Sequence, residues 1–210
     1  LCYANREADS GRDAVFLEVS IFSRFLALSL FWCARSACAA PIVLFDNLSE
    51  SVFSVDGITA SSWAGNRFLS GPIASVLTSA RLLMREDSPG QARLDLYSDA
   101  GGPEPGSFLG SFSSPAVYTG SLGLNDFSAS LSLLPNTAYW IVLQGLSGSY
   151  EWAWTDSING AGVGFDTAYV NSDDAGLTWQ QTGNPEPFLF SLTSDSGVPE
   201  VKSSGALLPL

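Results

Sequence analysis

The sequence predicts an all-β protein, with a single antiparallel β-sandwich of jelly-roll-like topology at residues 40–194. Short apolar runs separated by Gly, Pro, Asn and Ser recur along this region, and none has the period of a helix. Apolar and polar residues alternate at residues 127–133, as in a strand with one buried face. Every residue from 138 to 143 is apolar, which is typical of a strand buried on both faces.

The centre of the predicted sandwich is the stretch at residues 131–157. The strand at residues 138–143 is followed by a Gly- and Ser-rich segment at residues 145–149, which we interpret as a loop that returns the chain antiparallel. On the returning strand, alternate residues point to the same side. Three aromatic residues share that side: Tyr150, Trp152 and Trp154.

The other strands follow from the same patterns. They are predicted at residues 42–45, 51–55, 67–69, 75–85, 92–96, 107–112, 116–119, 127–133, 164–171, 177–181 and 188–193. Between them lie turn-forming residues, among them EDSPG at residues 86–90 and the Gly/Pro-rich loop at residues 99–106.

The N-terminal segment at residues 21–39 is interpreted as a secretory signal peptide. Arg24 supplies a positive start, residues 25–34 form an apolar run, and Ala37-Cys38-Ala39 is a small-residue cleavage site. A buried helix is the alternative, which the small residues at its end disfavour. Residues 1–20 precede the natural start of such a signal, and we expect a misassigned or non-native upstream segment there.

Composition excludes several classes of function. The chain of 210 residues has a net charge of −12 and no histidine, and its cysteines are Cys2, Cys33 and Cys38. Such an acidic surface excludes nucleic-acid binding, which needs clustered Lys and Arg. With neither imidazole nor thiol after residue 40, Ser-His and Cys-His catalysis and the common zinc sites lack their residues.

Residues 172–179 fit the Asp-box pattern Ser-x-Asp-x-Gly-x-Thr-Trp, whose members here are Ser172, Asp174, Gly176, Thr178 and Trp179. The carboxylate can accept hydrogen bonds across a tight turn, the glycine allows a positive φ, and the tryptophan can pack beneath. Sialidase propellers carry several such boxes, remote from their catalytic centre, whereas this chain has one. We therefore predict a structural turn.

The aromatic residues offer a candidate ligand site. If the strip of Tyr150, Trp152 and Trp154 is exposed, it can stack on sugar rings; if it is buried, it is part of the core. Large aromatic residues on an inner strand favour the core. Trp63, near the first loops, is a freer candidate for a surface contact.

The carboxylates leave a catalytic pair open, for example Glu151 with Asp156 or Asp166. Glycosidases need two carboxyl groups at a set separation in a cleft. Most carboxylates of an acidic surface are simply solvated, so this interpretation is disfavoured.

No cofactor is expected, although calcium stays open as an alternative. Asp99, Asp173 and Asp174 lie in loops and offer the oxygen ligands that calcium prefers, but the spacing of an EF-hand is absent.

Three stretches carry a family resemblance: FDNL at residues 45–48, LDLYSDAGGPEPGSFLGS at residues 94–111 and LPNTAYWIVL at residues 134–143. With the tryptophan strand and the single Asp-box, they resemble the bacterial choice-of-anchor exported domains, closest to the type labelled R. The resemblance covers residues 42 to about 194. Such domains are often carried by proteins with a PEP-CTERM sorting tail, and the resemblance implies no catalytic residues.

The C-terminal segment departs from that family pattern. A sorting tail has Pro-Glu-Pro, an apolar helix and a terminal Arg cluster, whereas Pro199-Glu200 is followed here by Val201 and KSSGALLPL. We expect residues 195–210 to be a truncated or degenerate remnant of the tail, with no stable membrane span.

Together these observations predict an exported, non-catalytic module with a structural or adhesive role. It would act at the cell surface or in the extracellular matrix of a Gram-negative-type bacterium, with polysaccharide or cell-surface components as partners. The alternative is a carbohydrate-binding module or, less favoured, a carboxylate-dependent glycoside hydrolase.

Overall fold

The computed structural model describes residues 40–181 and 185–196, and this part of the chain is all-β and antiparallel, as predicted. Its nine strands are β1 (Ile42–Asp46), β2 (Ser54–Ile58), β3 (Trp63–Leu69), β4 (Ser75–Asp99), β5 (Pro105–Ser111), β6 (Gly123–Leu133), β7 (Ala138–Trp154), β8 (Tyr169–Ser172) and β9 (Phe190–Ser196). The predicted signal peptide, the segment before it and most of the C-terminal tail lie outside the described residues. The domain reaches slightly further than predicted, since β9 ends at Ser196.

All nine strands belong to one sheet with the order β1-β9-β4-β7-β3-β8, while β2 pairs with β7, and β5 and β6 pair with β4. The first half of β4 pairs with β6 and β9, and its second half pairs with β5 and β7. One long strand therefore pairs with four others along its length, and the sheet curls into a half-barrel. Strands that pass between layers through bends or bulges are a known way to turn the corner of a β-sandwich.

Two predicted turns are wrong, because residues 86–90 and 145–149 lie inside the long strands β4 and β7. These two segments face each other: Ser88 pairs with Ser149, and the register shifts on either side of that pair. The turn-forming residues thus build a double bulge and not two reversals. The sequence pattern identified the position of the irregularity correctly. At that position the chain bends within a continuous pair of strands and does not reverse direction.

Glycines make this double bulge feasible. Gly148 has a φ of 71°, and a Cβ there would lie 2.5 Å from the carbonyl oxygen of Ser88. A Cβ on Gly90 would overlap the carbonyl oxygen of Ser147. Each of these close approaches needs a glycine on one strand, because a Cβ there would overlap the backbone of the other strand.

Smaller differences concern short strands. The segments at residues 116–119 and 177–181 are not strands, and β8 is shorter than the strand predicted at residues 164–171. Conversely, β3 begins at Trp63, earlier than predicted. In each of the two segments that are not strands, one aromatic residue packs on a core cluster, Tyr118 in the first and Trp179 in the second, while Val117 and Leu177 are exposed.

The strand predicted to be buried on both faces has that property. Tyr139, Ile141 and Leu143 pack into the main core, while Trp140 and Val142 belong to a second cluster on the opposite face. Within the main core, the ring of Trp152 stacks on Phe188, with ring centroids 4.4 Å apart. Large aromatic side chains like these contribute most to the burial of apolar surface.

The double bulge predicts unequal effects of two glycine substitutions. We expect Gly148→Ala to lower the free energy of unfolding by about 2–4 kcal/mol, from the strain of a positive φ and a clash with the backbone of β4. Gly101→Ala is the matched control, because Gly101 has a φ of 82° but no atom within 4 Å of a built Cβ. Urea unfolding measures both, and equal losses would show that the close approach is unimportant.

Candidate functional site

The aromatic strip of β7 is mostly core. Tyr150 and Trp152 are 0% exposed, so the interpretation of these two residues as a sugar-stacking surface is wrong. Burial raises the pKa of Tyr150 to about 12. Trp154 is half-buried; its Nε1 donates to Asp56 Oδ1 at 3.0 Å, and its ring lies 4.8 Å from that of the exposed Phe53.

Trp63 lies at the wall of a cleft of about 300 Å³ between β2, β3 and the end of β8, here called the β2–β8 cleft. This cleft agrees with the prediction that Trp63 is the freer aromatic residue. Its lining residues are Asp56, Gly57, Ser62, Trp63, Asn171, Asp173 and Gln180.

Asp56 and Asn171 form the link between the two strands that border the cleft. Asn171 Nδ2 donates to Asp56 Oδ2 at 2.9 Å, and Trp154 Nε1 donates to Oδ1 of the same carboxylate. Asn171 Oδ1 is buried and accepts no hydrogen bond from any described residue. The cleft therefore contains a carboxylate fixed by two donors, while the unpaired amide oxygen of Asn171 is enclosed by the protein.

The pKa of Asp56 is raised, chiefly because burial disfavours its charged form. The hydrogen bonds from Asn171 and Trp154 oppose this shift, and the charge of Glu186 adds to it. Glu186 itself accepts a hydrogen bond from the hydroxyl of Tyr169 at 2.6 Å. Asp56 and Glu186 therefore lie close enough for their charges to interact.

The Asp-box is a hydrogen-bonded turn, as predicted. Asp174 Oδ1 accepts from Thr178 N and from Ser172 Oγ, each at 2.8 Å, and its Oδ2 accepts from Thr178 Oγ1 at 2.7 Å. Gly176 N donates to Ser172 Oγ at 2.8 Å. The hydrogen bonds from Thr178 lower the pKa of Asp174. These contacts fix the turn that comes after β8.

This turn positions the aromatic wall of the cleft. Gly176 has a φ of 79°, and a Cβ there would lie 2.6 Å from Cζ3 of Trp63. Trp63 Nε1 donates to the carbonyl oxygen of Ala60 at 3.2 Å, which fixes the edge of the indole. Trp63 and Trp179 both pack, partly buried, against the second core cluster. The Asp-box therefore helps to shape the cleft, because its turn packs against the ring of Trp63.

The three candidate calcium ligands do not come together. Asp99 lies at the end of β4, where its Oδ1 accepts from Trp140 Nε1 at 2.8 Å. Asp173 and Asp174 follow β8, close to Trp63 at the start of β3. Asp99 lies at the other end of the segment in which β3 pairs with β7. Among the described residues, no group of three or more acidic side chains, His or Cys could hold a metal ion. The structure therefore does not bring these three carboxylates together, and calcium binding stays a prediction.

Of the two disfavoured catalytic pairs, that of Glu151 with Asp166 is separated. Glu151 Oε2 lies 2.7 Å from Arg85 Nη2, and Asp166 Oδ2 lies 2.9 Å from Arg67 Nε. Arg67 faces Trp140 near the start of β7, whereas Glu151 is near the end of that long strand. Asp156 is exposed. The first two carboxylates are thus in ion pairs at distant points of the sheet.

A second polar cluster surrounds Asp95, which is fully buried. Its carboxylate accepts from Gln144 Nε2 at 2.6 Å, from Ser111 Oγ at 2.6 Å and from Arg93 Nε at 2.9 Å. Burial is the largest effect on its pKa, which is raised despite these hydrogen bonds. Because both oxygens are used inside the protein, the cluster holds β4, β5 and β7 together and leaves little for a ligand.

Another cleft, of about 550 Å³, runs beside the double bulge and is lined by residues of β4, by Leu146 of β7 and by residues 111, 112 and 114–118. Val117 and Leu146 are exposed at its rim. Tyr118 lines it too, but its hydroxyl already donates to the carbonyl oxygen of Ala92 at 3.0 Å. Several of its other polar side chains are also used inside the protein, since Ser114 donates to the same carbonyl oxygen and Arg93 and Ser111 both bind Asp95. The β2–β8 cleft instead combines an indole ring with carboxylate and amide side chains, and it is therefore the better candidate site.

The Asp-box predicts a contrast between neighbouring carboxylates. We expect Asp174→Asn to lower the urea midpoint of unfolding and Asp173→Asn to leave it almost unchanged, because the Asp173 carboxylate is exposed and accepts none of the hydrogen bonds within the turn. The lowered pKa of Asp174 makes its contribution complete above the unfolded value near 3.8 and lost as pH falls through the folded value. The difference between wild type and Asp174→Asn should shrink on acidification, and a constant difference would contradict this account.

Comparisons with known proteins give no relative. No protein-family model matches the chain, and a search of curated proteins finds no match. The resemblance to choice-of-anchor domains therefore stays a prediction. The function of the domain has to be inferred from the geometry of the β2–β8 cleft.

Proposed function

We propose that this domain is an exported, non-catalytic module of the cell surface or extracellular matrix, which adheres by weak, reversible binding of polysaccharide in the β2–β8 cleft. One observation carries the proposal: an indole ring lies beside a fixed carboxylate and two amide side chains in one cleft. Sugar rings present an apolar face that stacks on aromatic rings, and hydroxyl groups that hydrogen-bond to carboxylates and amides.

The size of the cleft suits such a ligand. A volume of about 300 Å³ is at the lower end of the range for small-molecule sites, enough for one or two sugar rings. Its polar residues approach from separate strands, with Asp56 on β2 and Asn171 on β8. An open cleft of this kind can bind an internal segment of a chain, as adhesion to a polymer requires.

A non-catalytic role is supported by the inventory of residues. The sequence has no histidine, and its cysteines precede residue 40. General acid–base chemistry at neutral pH would therefore fall to carboxyl groups with raised pKa values. Asp56 is one such group in the cleft, but both of its oxygens accept hydrogen bonds from other side chains.

The same carboxyl group is the observation that favours the second candidate, a carboxylate-dependent glycoside hydrolase. Asp56 and Asp173 both line the cleft, and the raised pKa of Asp56 is the property that a general acid needs. In this alternative, Asp56 would donate the proton and Asp173 would be the second carboxylate.

Export is supported by the signal-peptide pattern at residues 21–39 and by a domain that contains no cysteine. Within residues 40–181 and 185–196, the structure has no helix of the length and hydropathy needed to cross a bilayer. Surface association in this proposal comes from ligand binding by the folded domain.

Substitution of Trp63 tests the binding site. We expect Trp63→Ala to abolish binding to every polysaccharide that the wild-type domain retains on a glycan array, because the stacking surface is lost. Phe108→Ala is the control, since Phe108 is 54% exposed and lies on β5, away from the cleft. Unchanged binding by Trp63→Ala would place the site elsewhere, and absence of any glycan binding by the wild type would leave only a structural role.

A hydrolase screen separates the two candidates. The proposal predicts that wild-type protein releases no reducing sugar from the polysaccharides that it binds. Turnover that disappears in Asp56→Asn, while binding survives, would establish the hydrolase alternative. Asp195→Asn is the control, because Asp195 is exposed and lies on β9.

The form of the exported protein is a separate expectation. Mass spectrometry of culture medium should find a mature chain that begins near Ala40 and contains no cysteine. A mature chain that retains Cys33 or Cys38 would show that the cleavage site is misplaced.

A further inference from the structure

We propose that an apolar groove beside β1 binds the alkyl chain of a single uncharged amphiphile, such as a glycolipid with a chain of about nine carbons. The groove, here called the β1 groove, has a volume of about 270 Å³ and lies between β1, residues 71–75 and Val163. Since β1 and β8 are at opposite ends of the strand order, this site is distinct from the β2–β8 cleft. The inference therefore goes beyond the proposed function and does not depend on it.

The lining of the β1 groove is aliphatic. Ile42, Leu44, Ile73 and Val163 supply branched apolar side chains. Among the described residues that line the groove, Ser75 has the one polar side chain, and none is aromatic or charged. A sugar ring needs a stacking partner and several hydrogen-bonding side chains, which this lining lacks. An alkyl chain needs apolar contact alone, so it is the chemical group that the groove suits.

The rim of the groove is exposed, although its backbone is held in place. Ile73 is 51% and Val163 is 59% exposed, whereas Leu44 is buried in the main core. The backbone of the wall that carries Val163 is bonded to β1: Val163 N donates to the carbonyl oxygen of Val43 at 3.1 Å, and Gly164 N donates to that of Leu44 at 2.8 Å. An apolar side chain is thus fixed at the surface beside an opening to the core. Contiguous apolar surface of this kind is typical of interaction sites.

A second wall of the groove is fixed in the same way. The carbonyl oxygen of Gly71 accepts from Asn136 N at 2.9 Å, and Ser70 N donates to the carbonyl oxygen of Thr137 at 2.8 Å. The turn between β6 and β7 therefore holds the segment that leads to Ile73. Because backbone hydrogen bonds hold both walls, a ligand would meet a formed groove and would lose little affinity to its rearrangement.

The volume of the groove sets the length of the alkyl chain. If each methylene group takes about the volume of one water molecule in the liquid, about 30 Å³, a groove of about 270 Å³ holds roughly nine of them. The burial of each methylene group strengthens binding by about four-fold. Affinity should therefore rise with chain length up to about nine carbons and then level off, because further carbons stay in water.

The charge of the protein selects the head group. The chain has a net charge of −12, and every arginine of the described residues is in an ion pair. An anionic head group would be repelled by this surface and would find no free cation in the described part of the chain. We therefore expect an uncharged head group, such as a sugar, to be preferred over a carboxylate or a phosphate.

The test is calorimetric titration of the protein with hexyl, octyl, decyl and dodecyl β-glucoside, each below its critical micelle concentration. We expect affinity to rise by about fifteen-fold from hexyl to octyl, and by less than about two-fold from decyl to dodecyl. Octanoate should bind more weakly than octyl glucoside, because its carboxylate is repelled. A constant gain per carbon through dodecyl would contradict a groove of limited length.

Matched variants locate the binding. Val163→Asp should weaken the binding of octyl glucoside at least about ten-fold, because a carboxylate at the rim would lose water against the alkyl chain. Val117→Asp is the control, since Val117 is 82% exposed and lies outside the groove. Ile73→Asp and Ile158→Asp form a second pair, at residues that are 51% and 62% exposed, with the first inside the groove and the second outside it. Equal losses within either pair would overturn the inference.

Sedimentation velocity identifies other occupants of the groove. If the protein self-associates and Val163→Asp restores the monomer, a second copy occupies the groove and the inference is wrong. If vesicles of phosphatidylcholine retain the protein while no glucoside binds as a monomer, the groove is a membrane contact and the inference is wrong. The absence of binding to all four glucosides would also overturn it, whereas the glycan test of Trp63 would be unaffected.

Discussion

The burial of β7 on both faces is the constraint on which the rest of the structure depends. Ile141 and its neighbours on one face close the main core, while Trp140 and Val142 on the other face nucleate the second cluster. The flanking strands β3 and β4 are held in register by backbone hydrogen bonds to this one segment. A polar residue at any of these positions would lose its water without gaining a partner. The β2–β8 cleft depends on the same segment, because Trp63 and Trp179 pack onto its outer face.

Much of this architecture could be predicted from sequence because it depends on local rules. Strict alternation and a continuous apolar run report burial directly, and they identified the central strand. The segments at residues 86–90 and 145–149 show the limit. Their glycines and proline permit a tight turn and a bulge equally well, and the choice depends on whether a second bulge lies opposite. Whether a second bulge lies opposite is decided by the pairing of β4 with β7, and neither segment alone contains that information.

The candidate site shows the same division between local and distant information. The Asp-box turn and the freer position of Trp63 could be predicted, because each depends on a few adjacent residues. Asp56 and Asn171 could not, since 115 positions separate two residues that share a hydrogen bond. In the sequence, Asp56-Gly57 resembles a turn, and its place in β2 is evident only once that strand pairs with β7. These residues form a cleft only because their strands pair in the folded domain.

The loop after β8 affects whether copies of this domain can associate through the edge of the sheet. β8 ends the sheet, and an uncovered terminal strand is a template on which further copies can add and aggregate. Here Gln180 and Asn171 exchange two backbone hydrogen bonds, of 2.8 and 2.9 Å, so the returning loop occupies that edge. Together with the mutual repulsion of molecules of net charge −12, this cap disfavours association of copies through the β8 edge.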